Sequence, residues 1–226
     1  MRLKKLFLLD LRVQEKYGFY FLYAVLTVIY ITVLFVIPDN WKEKAAAILI
    51  FSDPASMGLF FMGAIVFLEK NQHTTCALAV SPAHAAEYVI AKVGSLSAVS
   101  LVVAAVLASA AGADHLHIVL LGTLISNVIF TLTGIIVATK IVSLNQFILW
   151  TVPIEAVCFV PAILHLFHIT PAWCGYFPVK VCMDVVSGHS LSAAGFSSVM
   201  AMMVILFILS RSCILKMWGS VGGVKL

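Results

Sequence analysis

Six long apolar stretches alternate with short polar segments along the chain. They run about Phe19–Ile37, Ala46–Leu68, Val93–Ala113, Ile118–Thr139, Phe147–Phe167 and Ser197–Leu215. A helix that crosses a bilayer takes about 20 mostly apolar residues. Each stretch meets that length, so the pattern predicts an all-α polytopic membrane protein with six transmembrane helices. Pro38 closes the first stretch and Asp53-Pro54 interrupts the second.

Composition strengthens this picture. Hydrophobic residues make up 62% of the 226 residues and charged residues 11%, with a mean hydropathy of +1.10. Soluble domains average about 45–50% apolar and about 25% charged residues. A disordered chain, a nucleic-acid-binding arm and an ordinary soluble enzyme are excluded. The five cysteines form no CxxC pair, so neither a disulfide framework nor a zinc site is indicated.

The net charge of +4 matters less than its placement. With six spans, eleven Lys and Arg fall on the side of the two termini and three on the other. Basic residues in short loops mark the cytoplasmic face, so both termini are expected in the cytoplasm.

Two segments on that side are too long for simple turns. Over residues 1–17, Lys5, Arg12 and Lys16 share one face of a helix. Leu3, Leu6, Phe7 and Tyr17 lie across from them, with Asp10 as an interruption. This pattern predicts an interfacial helix lying on the membrane. Over residues 69–92, Thr74 or Thr75 can cap a short helix over Cys76–Val80. Ser81-Pro82 resembles an N-cap followed by proline at the first helical position. Glu69, Lys70, Thr74, Thr75, Leu78 and Val80 would offer a docking knob to a partner; the plainer alternative is a solvated connector.

Phe51-Ser52-Asp53-Pro54, Gly58-Leu59-Phe60-Phe61-Met62-Gly63-Ala64 and Leu68-Glu69-Lys70 resemble the second span of ABC-2-type transporter permeases. Thr74-Thr75, Ala77-Leu78, Val80-Ser81-Pro82, Glu87-Tyr88 and Ala91-Lys92 continue the likeness. Leu9 to Gln14, followed by Tyr17-Gly18-Phe19-Tyr20, is similar to the entry helix of the small fluoroquinolone-export-like branch. The close resemblance covers roughly residues 9–92. It implies one transmembrane domain over residues 1–226, a second permease copy or sister permease, and a separate ABC ATPase subunit. It maps a connecting helix onto residues 1–17 and a coupling loop onto residues 69–92. Glu69, Lys70, Thr74, Thr75, Leu78, Ser81 and Pro82 become the coupling candidates.

No GxxxxGK[ST] phosphate loop is present. ATP and Mg would therefore belong to the partner subunit, and no cofactor is expected in this chain. Inside the spans, Asp53 with Pro54 suggests a broken helix, Asp53 capping the half that leads to residue 68. The competing role for Asp53 is contact with a substrate or proton. Glu155, between Pro153 and Pro161 in a span expected to kink, and Asn127 in the fourth span are further pathway candidates. No metal-ligand spacing links Glu155 to His165 or His168. The segment 168–194 is the longest on the opposite side and contains Cys174 and Cys182, eight residues apart. By the resemblance, short helices there dip back and close an outer gate.

The sequence thus points to the permease subunit of an ATP-driven exporter in a bacterial plasma membrane, moving a hydrophobic or amphipathic compound. Peptide, lipid or haem-related cargo stays open. So does a membrane-embedded enzyme using Asp53, Glu155 and the histidines, or a scaffold without transport.

Overall fold

A computed structural model of the chain describes residues 2–72, 74–81, 83–167, 169, 177–190 and 192–221. The described residues form helices joined by turns. An amphipathic helix α1 (Arg2–Lys16) leads into α2 (Phe19–Val36). Next come α3 (Asp39–Ile50), a π turn (Phe51–Ala55) and α4 (Met57–Asn71). A short α5 (Thr74–Val80) precedes α6 (Ala85–Ala111), α7 (Leu116–Lys140) and α8 (Leu144–Leu166). The chain continues through α9 (Pro178–Val186) into α10 (Ala193–Val221).

Six helical segments are long and apolar enough to cross a membrane: α2, the run Asp39–Lys70, α6, α7, α8 and α10. All six fall on stretches that hydropathy singles out. The second, third and fourth spans form the inner core, with Phe51, Leu59, Met62, Ile65, Leu96, Leu107, Leu132 and Ile135 fully buried. The first, fifth and sixth spans turn most of their residues outward, including Phe21, Phe35, Leu149, Val157 and Ile208. Apolar exposure on that scale suits contact with lipid tails rather than water.

The inner spans approach closely because small residues face each other. A Cβ on Gly58 would lie 1.8 Å from Thr131 Oγ1, and one on Gly134 would lie 2.6 Å from the Gly58 carbonyl oxygen. Between apolar helices in lipid, such close packing is the main attraction.

The second span is longer than its apolar stretch and starts at Asp39, directly after Pro38. It is also unbroken. Asp53 caps nothing: the helix widens into one π turn and continues. Two neighbouring helices support the turn. Ser100 of α6 and Asn127 of α7 both donate to the Pro54 carbonyl, Asn127 at 3.2 Å. Side chains from packed neighbours thereby satisfy a carbonyl inside the irregular turn and brace it.

Two further boundaries differ from the sequence reading. Thr74 is the first helical residue of α5 rather than its cap. Ser81 closes α5 instead of opening α6: its hydroxyl donates to the Leu78 carbonyl at 2.8 Å and accepts from the Ala83 amide at 3.3 Å. The third span opens at His84, whose amide donates to Glu87 at 3.0 Å. Pro82 and Cys174 lie outside the described residues.

Helix α1 and the last turns of α10 lie at the same end of the bundle, called here the terminal end. Asp10 of α1 reaches Lys92 at the start of α6, and Trp218 of α10 stacks edge-on against Tyr88 at 5.7 Å. At the opposite end α9 packs against α7, where a Cβ on Gly122 would lie 2.6 Å from the Val186 amide nitrogen. His165 of α8 pairs with Asp184 of α9 at 2.7 Å. The short α9 falls within residues 168–194 and packs against α7, α8 and α10.

Candidate functional site at the foot of the second span

The last turn of α4 enters the 69–82 loop, and its two charged residues face opposite neighbours. Glu69 turns toward α6 and α1. Its carboxylate accepts from Lys92 Nζ at 2.5 Å and from the Tyr88 hydroxyl. Lys92 also pairs with Asp10 of α1. Ser95 donates to Asp10, and Gln14 Nε2 donates to Ser95 Oγ at 3.0 Å.

Every member of this cluster is buried; Asp10 and Lys92 are each 3% exposed and Glu69 7%. One ammonium thus serves two carboxylates from two helices. A buried charge without partners would be ruinous, so the three groups specify one another. The Lys92 ammonium also lies 5.3 Å from the centroid of the Tyr88 ring. Through Tyr88 and Trp218 the cluster reaches α10.

Lys70 turns the other way. Its Nζ donates to the carbonyls of Ala138, Thr139 and Ile141 at 2.9, 3.3 and 3.0 Å. These are among the unsatisfied carbonyls at the end of α7, where a cation is favoured. Gln72, two residues after Lys70, donates to the Tyr17 hydroxyl just after α1. The foot of the second span is therefore bolted to α1, α6 and α7 at once.

The loop candidates separate by position. Glu69, Lys70 and Thr75 point into the protein, Thr75 being 2% exposed. Thr74 and Leu78 are half-buried on α5, which packs against α10 and α4. Ser81 forms the corner. Asp10 and Lys92 fall inside the motifs that carry the resemblance but are not among the coupling candidates. Asp10 looked like an interruption in an amphipathic helix. Its spacing of four from Gln14 places both polar groups on one face, the one turned to α6.

The intramembrane candidates part company as well. Asn127 is fully buried and satisfied: Oδ1 accepts from Ser97 at 3.0 Å while Nδ2 donates to Pro54. It holds helices together. Glu155 is half-buried on α8, which runs unbroken through Pro153 and Pro161. His165 pairs with Asp184, ten residues further along that helix from Glu155. Among the described residues no cluster of His, Cys, Asp or Glu is arranged to hold a metal ion.

A six-span helical bundle with an amphipathic helix locked to its terminal end is the architecture of a polytopic membrane protein. The model of the fluoroquinolones export permease protein family matches residues 1–209, and the chain belongs to that family. Two proteins of Mycobacterium tuberculosis, from strains CDC 1551 / Oshkosh and ATCC 25618 / H37Rv, are similar to it. Each is named a fluoroquinolones export permease protein. Each is 29% identical over 167 residues, covering 72% of this chain and 69% of the relative. The chain is thus a multi-pass membrane permease.

Proposed function

We propose that the chain is the membrane-spanning subunit of an ATP-driven exporter and that a separate ABC ATPase subunit supplies the energy. Two permease copies, or this chain and a sister permease, enclose the path. The cargo is a hydrophobic or amphipathic compound of the fluoroquinolone kind, as named for the relatives. The terminal end faces the cytoplasm, where its basic residues suit the inner leaflet. The ATPase docks on α5 and its corner, through Thr74, Leu78, Ser81 and Pro82. Glu69, Lys70 and Thr75 carry the resulting push into the bundle rather than touching the partner.

The observation that supports this most is the double attachment of α4's last turn. A force on α5 reaches α1 and α6 through Glu69 and Lys92, and α7 through Lys70. A rigid joint of this kind can convert loop displacement into a shift between inward- and outward-open arrangements. The test is transport into inside-out vesicles from cells making the chain with its ATPase. ATP-dependent uptake of a fluorescent fluoroquinolone, abolished by a non-hydrolysable ATP analogue, is the expected result. Uptake independent of ATP contradicts the proposal.

A further inference from the structure

Buried polar groups in this bundle are nearly all satisfied, and two of the exceptions lie in the first and second spans. Asp53 Oδ2 and the Tyr23 hydroxyl are both buried without a hydrogen-bond partner. The other two such atoms among the described residues, Gln14 Oε1 and Trp218 Nε1, lie at the terminal end. Tyr23 is 2% exposed and within electrostatic reach of the Asp53 carboxylate. The Tyr30 hydroxyl, two turns along α2, interacts with the same carboxylate. Asp53 lies near the middle of the 32-residue second span, in its π turn. Among the described residues no lysine or arginine pairs with it.

We propose that Asp53, Tyr23 and Tyr30 form an intramembrane site for the protonated amine of a lipophilic compound. An unpaired carboxylate at mid-bilayer is costly and is usually retained for function. Its free oxygen accepts an N–H of the ammonium. The free Tyr23 hydroxyl accepts a second N–H or donates to a polar group beside it. Aromatic rings line the approach: Phe61 lies 4.9 Å from Phe19 and 5.0 Å from Tyr23, centroid to centroid. Such faces attract a desolvated cation. The π turn belongs to the class of helix irregularities that gather at functional sites. Satisfaction elsewhere sharpens the contrast. Asn127, equally deep, spends both ends of its amide on the fold. The proposal deepens the export reading by naming the cargo's chemistry, and rests on that reading for its purpose.

Binding of a matched fluorescent pair to the full chain in nanodiscs tests it directly. Monodansylcadaverine carries a primary amine; its N-acetyl derivative has the same body without the charge. Wild type should bind the amine at least tenfold more tightly. Asp53→Asn should erase that preference while leaving the N-acetyl compound unchanged, and Asp53→Glu should restore part of it. Tyr23→Phe removes a hydroxyl that makes no native hydrogen bond, so it should fold normally and weaken amine binding alone. Equal binding of the two compounds to wild type, or a preference that survives Asp53→Asn, overturns the proposal. Since no ATPase enters this assay, failure of the export reading would show separately, in the vesicle transport.

Discussion

Lys92 holds Glu69 at 2.5 Å across the start of the third span and the foot of the second, in a place that water does not reach. The same ammonium secures Asp10, so an N-terminal helix that sequence alone would lay loosely on the membrane is locked to the bundle. Removing one partner of a buried ionic group typically costs about 3–5 kcal/mol. Lys92→Met should therefore lower the unfolding midpoint in detergent steeply. Lys4→Met, on the exposed face of α1, should leave it unchanged. Equal midpoints for the two variants would contradict the buried joint.

Close approach of α4 and α7 gives a second prediction. Gly134→Leu places a side chain where the Gly58 and Leu59 backbone now stands, so backbone must move. Overpacking of this kind costs about 1–3 kcal/mol or more, and the variant should aggregate on size-exclusion chromatography. Gly219→Ala meets nothing within 4 Å and should elute as wild type does.

Asn127→Leu tests whether that amide serves the fold. It leaves the Ser97 hydroxyl without its acceptor and Pro54 with Ser100 as its remaining side-chain donor. Leaving buried polar groups unpaired costs about 1–3 kcal/mol. The expected outcome is lower thermal stability with unchanged relative affinity for different ligands. A selective change in ligand preference, with stability intact, would instead support the pathway role.

Orientation is testable with a membrane-impermeant maleimide on intact cells. Cysteine at His115, exposed at the turn before α7, should label from outside; cysteine at Arg12, exposed on α1, should not. The reverse pattern would invert the topology.

The spans were legible because apolar length is a local property of the chain, and their number follows from it directly. The joint was only half legible. Glu69 and Lys70 are found by position after a span, but their partners lie 23 and about 70 residues away, where no local rule reaches. Asp10 and Gln14 did carry a signal, two polar groups four apart on the same arc as Phe7. Read as a soluble or surface pattern, that arc looks flawed; against Lys92 and Ser95 it is complementary. Asp53-Pro54 misled for a related reason. Proline predicts a break, yet the helix continues through a π turn whose Pro54 carbonyl takes donors from Ser100 and Asn127, on two other helices.

The central claim is that α5 receives the partner ATPase and passes its motion to the second span. The most direct measurement is disulfide or bismaleimide crosslinking from cysteine at Leu78, half-buried on α5, to cysteines scanned across the ATPase surface in the assembled complex. The account predicts a crosslink from position 78 that changes in yield when ATP is hydrolysed, with none from cysteine at Val142, which lies exposed in the turn between α7 and α8. An assembled complex with no crosslink from position 78 to any scanned site would contradict it.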